Sequence, residues 1–465
     1  MADTSFDVIV LGGGPAGYVC AIRAAQLGMK TAVVERDKLG GVCVNIGCIP
    51  TKALLYSARV ANIVRHEAKG LGVEAGSVTL DFAVAMKRSR VVSEQNSKGV
   101  AFLMKKHKIA VIAGEGTLAP GRRVTVAGTE YTAKTAVILA TGSRVKGLPQ
   151  AGLELNGTTV ISSDDALVRE SAPATLAIVG AGAVGVEFAD IYNAFGTKVT
   201  LLEVLPRILP LEDSEASDAI AKSFRKRKID VLAGAKVGKA AVKKNGVTLE
   251  VEVGGETKSV QVDTVLVAAG RAPNVEGMGL EEAGVRVTAQ GFVQVDGDLR
   301  TTAEGVYAIG DVAGPPMLAH KGSREGVHVA ETLAGLATHP IRYDNIPSVT
   351  YCHPEVASIG ITEEQAKERK LDVTIGRFPL SASGRARASN ETEGFVKIIR
   401  DAKYGEILGA HIIGAHATEL IHELALAREN EFTVEEIELA IHAHPTLAEA
   451  VYEAAADSMG RMVHA

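Results

Sequence analysis

The chain has 465 residues, 46% of them hydrophobic, with 49 glycines, four cysteines and a formal net charge of -5, which sets an expectation of two to four domains with full-sized cores. The charge balance argues against a nucleic-acid binder, whose phosphate contacts need concentrated Lys and Arg, and the one dense basic run, Arg225 to Lys228, reads as the solvated end of a helix. With no basic leader before Phe6 and no apolar stretch long enough to span a bilayer, a cytoplasmic protein with neither nucleic-acid nor membrane partners is expected.

Phe6 to Leu11 reads as a short buried strand and runs directly into Gly12-Gly-Gly14-Pro-Ala-Gly17, then a small-residue helix to Gly28 and a second strand, Thr31 to Glu35. In this context the glycines form a dinucleotide fingerprint. Gly12 serves the tight turn, Gly14 the close approach of a pyrophosphate and Gly17 the packing of helix on strand, while Glu35 stands where a ribose hydroxyl pair would meet it.

Half of the cysteines fall in the next stretch, Gly40-Gly-Val-Cys43-Val-Asn-Ile-Gly-Cys48-Ile-Pro-Thr-Lys52. A regular helix would hold the two cysteine backbones roughly 7.5 Å apart, beyond disulfide reach, so Asn45 and Gly47 are expected to distort the segment. A thiolate near the start of the following helix gains from its positive end, and the pair reads as a redox-active dithiol. The alternatives are a structural disulfide and half a zinc site. Zinc needs further ligands at short spacing, the nearest histidine is His66, and no metal is expected. Lys52 lies one turn beyond Cys48 on the same face, where it either approaches whatever Cys48 faces or is an ordinary solvated lysine.

Helical stretches follow at Pro50 to Lys69 and Asp81 to His107, then short strands near Ile109 to Glu115 and Arg123 to Val126, and an apolar strand from Ala136 ending at Thr141-Gly142. The first motif then repeats: a strand from Thr175, Gly180-Ala-Gly182-Ala-Val-Gly185, a helix to Phe195 and a strand from Lys198 to Glu203. The distance from first glycine to terminal acid is 23 residues in both copies, 35 minus 12 and 203 minus 180. Two dinucleotide modules plus a dithiol call for an electron relay between thiols and a nicotinamide, which a flavin supplies. Glu203 accepts from the free 2'-hydroxyl of NAD and repels the 2'-phosphate of NADP, so NAD is expected.

Thr264 to Gly270 mirrors the strand ending at Gly142, and Gly305-Val-Tyr-Ala-Ile-Gly310-Asp311 returns the chain to the first module. The expected architecture is α/β, with two Rossmann-like modules, one inserted in the other, and an α+β interface module with an antiparallel sheet from Ile346 onward. The boundaries fall at 1–145 and 272–345 for the first module, 146–271 for the second and 346–465 for the last. Near the end, His442-Ala-His444-Pro-Thr-Leu-Ala-Glu449 places a histidine in extended backbone before a helix that carries a carboxylate. Such a pair suits a general base acting on a thiol; the alternative is a surface or capping histidine.

With these motifs in hand, the whole chain resembles the pyridine nucleotide-disulfide oxidoreductase family, and within it the members that oxidise dihydrolipoamide. The resemblance is carried by the two glycine motifs, the Cys43–Lys52 stretch, Ile-Gly-Asp311-Val, Met-Leu-Ala319-His-Lys and His444-Pro-Thr-Leu-Ala-Glu449. It implies FAD on the first module, with Glu35 at the ribose, Asp311 at the ribityl-pyrophosphate end, Ala319 near the flavin ring, and Gly116, Thr141 and Gly142 lining the site. It implies NAD at Gly180, Gly182, Gly185 and Glu203, with Val237 and Gly270 nearby, and Lys52 approaching the flavin and paired with Glu187. Cys43 would exchange with substrate while Cys48 faces the flavin, and His444 with Glu449 would serve the partner subunit of a homodimer. The implied reaction oxidises protein-bound dihydrolipoamide on the lipoyl domains of 2-oxoacid dehydrogenase or glycine cleavage complexes, with NAD as acceptor. The alternative is an NADPH-dependent disulfide reductase of the glutathione reductase type, whose nucleotide site favours positive charge where Glu203 stands.

Overall fold

The computed structural model describes residues 3–465 and divides into two compact units. The first comprises the residues up to Ala53, Ala83–Lys146 and Gly270–Ile341. Its sheet runs in the order Ala110–Ala113, Thr31–Glu35, Ser5–Leu11, Thr129–Leu139, Arg123–Val126, Gly116–Ala119, and Val306–Ala308 adds in parallel to Thr129–Leu139. Ser5–Leu11 is parallel to both its neighbours. Its Val8, Ile9 and Val10 are wholly buried, as a strand covered on both faces requires, which is why it reads as an unbroken apolar run rather than an alternating one.

The helices Pro15–Gln26 and Ala319–Leu333 lie against one face of this sheet and pack on each other closely. A Cβ at Gly326 would stand 2.7 Å from the Ala16 carbonyl oxygen, and one at Gly322 would stand 2.9 Å from the Ala16 Cβ, so both positions need glycine for the helices to meet. Below the sheet edge, Ser143–Val145 pairs antiparallel with Arg271–Pro273 to form a short ribbon. Residues 147–269 leave and rejoin the chain at its two ends.

The second unit comprises Leu54–Phe82, Gly147–Ala269 and Arg342–Ala465. It holds a parallel sheet ordered Asp230–Ala233, Lys198–Glu203, Thr175–Val179, Thr264–Val267, Val160–Ile161, and a three-stranded antiparallel sheet, Lys236–Lys243, Gly246–Val253, Glu256–Val262. A third sheet is antiparallel throughout and ordered Ser348–Thr350, Glu355–Gly360, Ile407–Gly414, Phe395–Asp401, Val373–Pro379. The helices Ala417–Glu429 and Glu449–Asp457 cover it, burying Ile398, Ile412, Ile421, Leu424, Val451 and Ala454 between them.

One charged cluster in this unit is centred on a buried lysine. Lys397, on the strand Phe395–Asp401, is 1% exposed at its side chain and pairs with Asp213 at 2.9 Å, Glu215 at 2.9 Å and Glu363 at 2.7 Å. Asp213 caps the helix Ser214–Lys226 and also accepts from the Glu363 N–H at 3.0 Å, so one lysine and one aspartate tie together two helix starts and a strand. No described helix is long and apolar enough to cross a membrane.

Candidate active site

The two glycine motifs fold alike to the level of single atoms. Gly12 and Gly180 take φ of +106° and +102°, a region that only glycine enters freely, and a Cβ on either would strike the backbone of Ala140 or Ala268. Five residues on, Gly17 and Gly185 would each bring a Cβ to 1.9 Å from the Gly12 and Gly180 carbonyl oxygens respectively. Gly14 and Gly182 cap the two helices in extended conformation and neither provides a side-chain cap. The first-turn amides are therefore free to face a pyrophosphate, which is what a dinucleotide needs from these loops.

The terminal acids also repeat. Glu35 accepts from the Gly13 N–H at 2.7 Å with one oxygen and from the Asp37 N–H at 2.9 Å with the other. Glu203 accepts from the Ala181 N–H at 2.8 Å and from the Leu205 N–H at 3.0 Å in the same arrangement. Each carboxylate is thus fixed in the mouth of its glycine loop, with lone pairs left over for a ribose hydroxyl pair.

The dithiol segment stands directly beside the first loop. The Gly40 N–H donates to the Gly13 carbonyl at 2.8 Å, and Gly14 and Gly41 pass so closely that a Cβ on Gly41 would lie 2.7 Å from the Gly14 Cα. The helix Gly41–Ile46 stops at Gly47 and a new helix, Cys48–Asn62, starts with the second cysteine. Gly47 makes the break: its φ of -146° is open to any residue, but a Cβ there would stand 2.9 Å from the Val42 carbonyl oxygen. Asn45, expected to share the distortion, remains within the first helix. Its amide instead braces the turn, donating to Leu39 O at 3.1 Å and Gly41 O at 2.9 Å.

Cys43 and Cys48 are present as partly buried thiols in hydrogen-bonding contact. The shared hydrogen bond, then burial, pushes the Cys43 thiol well up, and the Lys52 ammonium pulls in the opposite direction. Lys52 is therefore within electrostatic reach of the dithiol. Glu187 lies buried in the helix Ala183–Ala194, where it accepts from the Tyr351 N–H at 3.0 Å.

Asp311 sits in the turn after the strand Val306–Ala308 and accepts from the Ser143 hydroxyl at 2.5 Å; Ser143 in turn accepts from Arg271 Nε at 2.7 Å. Thr141 and Gly142 are linked to the returning chain, through Thr141 Oγ1 to Asn274 O at 2.8 Å and Asn274 N to Gly142 O at 3.0 Å. Gly116 opens the strand Gly116–Ala119, Ala319 opens the helix Ala319–Leu333, Val237 lies opposite Val251, and Gly270 adjoins the ribbon at φ +104°.

Three contributors escaped the sequence reading. Glu325 is 1% exposed and accepts from the Gly310 N–H at 2.7 Å, paired with Lys321 at 3.3 Å, so a buried ion pair holds the turn that carries Asp311. Their spacing of four along one helix was the available signal. Ser143 had none. Tyr18, one turn after Gly14, is half-buried with its phenol pushed up by burial and then by the charge of Cys43, which marks it as a neighbour of the dithiol.

In the second unit His444 precedes a cis proline, and its Nδ1 meets Glu449 Oε1 at 2.8 Å while Glu449 Oε2 accepts the Thr446 N–H at 2.8 Å. The covering helix starts at Glu449. Burial raises the Glu449 pKa, but the Thr446 N–H, the His444 ring and the charges of His444 and His464 outweigh it and hold the carboxyl below its ordinary value. The His444 side chain itself is 80% exposed, and Leu439 and Ile441, shortly before it in the chain, are exposed as well.

Comparison with known proteins agrees with this geometry. Residues 6–326 match the family model described as pyridine nucleotide-disulphide oxidoreductase, and residues 346–455 match the dimerisation domain of the same family. The chain belongs to the pyridine nucleotide-disulphide oxidoreductases: it is a flavoprotein disulfide oxidoreductase that uses FAD and a nicotinamide nucleotide, and it carries the family's dimerisation domain.

Among its curated relatives, the chain is 44% identical to the dihydrolipoyl dehydrogenase of Corynebacterium glutamicum and 45% identical to that of Rhizobium etli, each match covering 99% of both chains. Among solved structures it is similar to LpdA of Mycobacterium tuberculosis, with a TM-score of 0.89, 28% identity, and coverage of 97% of this chain and 99% of that one. It is also similar to RclA of Escherichia coli, described as an HOCl-induced flavoprotein disulfide reductase, with a TM-score of 0.85, 28% identity, and coverage of 96% and 98%.

Proposed function

We propose that the chain oxidises dihydrolipoamide to lipoamide with NAD as electron acceptor, working as a homodimer in the cytoplasm on the lipoyl domains of a 2-oxoacid dehydrogenase or glycine cleavage complex. The observation that carries this reading is the Cys43–Cys48 thiol pair, hydrogen-bonded across the Gly47 break, in a segment whose Gly40 and Gly41 pack on Gly13 and Gly14 of the first glycine loop. The full-length identity to enzymes named dihydrolipoyl dehydrogenase supports the substrate class.

The division of labour follows from the side chains. Glu449 fixes the His444 ring through Nδ1, leaving Nε2 to take the proton from a substrate thiol. The substrate thiolate attacks Cys43 of the oxidised pair, the Cys43–Cys48 bond breaks, and Cys48 leaves as a thiolate at the start of its helix. The second substrate thiol then attacks the mixed disulfide and releases lipoamide. FAD, when bound, supplies the two-electron relay between this dithiol and the nicotinamide. For the flavin, Gly12, Gly14, Gly17, Glu35, Gly116, Thr141, Gly142, Asp311 and Ala319 form the cradle, with Lys52 near its ring and Glu187 assigned to cofactor binding by the family resemblance. For NAD the corresponding set is Gly180, Gly182, Gly185 and Glu203, with Val237 and Gly270 at its margin.

His444 and Glu449 act on the cysteines of the partner subunit in this reading. The exposure of His444 and of the apolar Leu439 and Ile441 shortly before it in the chain supports it, since these are surfaces a second copy would cover. The division into a first module of 1–145 and 272–345, an inserted module of 146–271 and an interface module of 346–465 belongs to the same proposal.

The test is a paired steady-state assay of the FAD-loaded protein. NAD reduction by dihydrolipoamide is expected to be fast, and reduction of oxidised glutathione by NADPH to be absent. The reverse result moves the chain to the glutathione branch.

A further inference from the structure

The second residue of each glycine loop is clamped on both sides by the same two kinds of bond. In the first loop the Gly13 N–H donates to the Glu35 carboxylate at 2.7 Å, and the Gly13 carbonyl accepts from the Gly40 N–H at 2.8 Å. In the second, the Ala181 N–H donates to the Glu203 carboxylate at 2.8 Å, and the Ala181 carbonyl accepts from the Leu209 N–H, again at 2.8 Å. The closing donor follows the terminal acid by five residues in one copy, 40 minus 35, and by six in the other, 209 minus 203. Both donors stand in the left-handed region, Gly40 at φ +94° and Leu209 at φ +45°. Glycine enters that region freely and leucine does not, so the second clamp needs its surroundings to hold it.

Beyond the clamp the two copies diverge. After Gly40 the chain runs into the Cys43–Cys48 segment, and after Leu209 it runs into Glu212 and Asp213. The Leu209 carbonyl accepts from the Glu212 N–H at 2.9 Å and from the Ser217 hydroxyl at 3.2 Å. Glu212 accepts from the Ser348 hydroxyl at 2.9 Å. Asp213 receives the Lys397 ammonium on both oxygens, at 2.9 and 3.0 Å, and the Glu363 N–H at 3.0 Å. Ser348, Glu363 and Lys397 all fall within the residues that match the family's dimerisation domain. Ala181, Leu209, Asp213 and Lys397 are each at most 3% exposed, so water is poorly placed to replace any link of this series.

We infer that Lys397 is a positioning residue for binding of the nicotinamide nucleotide: it holds Asp213, Asp213 fixes the turn that contains Leu209, and the Leu209 N–H keeps the Ala181 peptide in the shape the nucleotide meets. The dimerisation domain thereby braces the second glycine loop, as a supporting shell does for a binding site. The inference rests on the reading of Gly180–Glu203 as the nicotinamide nucleotide site.

The experiment titrates ADP-ribose, which fills a dinucleotide site without transferring hydride, into the FAD-loaded protein by calorimetry, for the wild type, Lys397→Met, Asp213→Asn and the double variant. The KM values for NAD and for dihydrolipoamide are measured beside it. Each single change is expected to weaken ADP-ribose binding by about 2- to 30-fold, the range for residues that act on a site through its supports, with the KM for NAD rising in step and the KM for dihydrolipoamide staying within about twofold. The last value guards against general damage, since His444 lies in the same domain as Lys397. The double variant should bind no more weakly than the weaker single, because both changes break one route. It also leaves no wholly buried carboxylate without a cation, so it carries the test if Lys397→Met does not fold. Wild-type affinity in folded variants with lowered denaturant midpoints, or losses that add in the double, overturns the inference. A wild type that takes up no ADP-ribose overturns the reading of the loop itself.

Discussion

The carboxylate of Glu203 accepts a hydrogen bond from the Ala181 N–H, 2.8 Å away, inside the second glycine loop. Glu203 is only 7% exposed, so its orientation is set by the protein before any nucleotide arrives. Glu203→Ala removes the ribose acceptor and leaves two amides without their partner. Losing charge-assisted hydrogen bonds of about 1.5–3 kcal/mol should raise the KM for NAD by about 10- to 100-fold, with NADPH gaining relative to NADH. Steady-state kinetics with both nucleotides checks this. An unchanged NAD/NADP preference would mean that the acid serves only the loop.

Cys43→Ser and Cys48→Ser should each abolish lipoamide turnover while leaving NADH-dependent dye reduction. Each removes one half of the thiol pair and leaves the Gly40 and Gly41 contacts with the first glycine loop in place. The assay pair is decisive because a collapsed fold would lose both activities. Lipoamide turnover surviving either change would falsify the dithiol mechanism.

His444→Gln should slow dihydrolipoamide oxidation by on the order of 10² to 10⁴-fold, the usual contribution of a positioned general base. Glu449→Gln should lose part of the same factor, since the amide can still hold the ring but does not stabilise its cation. A loss below threefold for His444→Gln would assign the base elsewhere.

Lys397→Met strands Asp213, which is wholly buried at its side chain, without its cation. Breaking a sealed pair in this way costs about 3–5 kcal/mol, readable as a lowered denaturant midpoint. A change under about 1 kcal/mol would show that the cluster relaxes to water when the lysine is removed.

The same cluster predicts an acid limit. The Lys367 and Lys397 ammonium groups hold the Glu363 carboxyl down at about 2, from 4.5. A depressed carboxyl stabilises the fold fully above about 4.5, and that stability is lost as the pH falls through about 2. Denaturation midpoints of the wild type should therefore fall across this window, with a shallower slope in Glu363→Gln. Parallel slopes would place the acid sensitivity in other groups.

Much of this was legible in the sequence because it depends on backbone constraints that few residues satisfy. Gly12, Gly17, Gly180 and Gly185 announce themselves, since contacts of 1.9 Å to a carbonyl leave no room for a side chain. The antiparallel interface sheet was legible for a similar reason: its strands, Phe395–Asp401 among them, are short apolar runs between turn residues. The three-stranded sheet Lys236–Val262 was not anticipated. Its outer strand is rich in exposed Lys and Ala, and its order comes from register with the strand Gly246–Val253 rather than from its own pattern. The strand Thr129–Leu139 was read only from Ala136, because its first residues are exposed and polar and are held by pairing with Arg123–Val126. Ser143 matters through a partner 168 residues away, a kind of information that local spacing does not contain, and the Lys321–Glu325 spacing of four hinted at an ion pair but not at the Gly310 N–H, 15 residues away, that it holds.

The ribbon of Ser143–Val145 against Arg271–Pro273 has a bearing on how such a chain could arise. Residues 147–269 depart from one of its strands and come back on the other, with Val145 opposite Arg271. A segment whose two ends meet side by side can be spliced into a host without altering the host's strand order. Ser5–Leu11, Thr129–Leu139 and Val306–Ala308 keep their parallel register across the splice. The second glycine loop reproduces the first to within a few degrees and tenths of an ångström, so host and insert meet their nucleotides through one and the same backbone geometry.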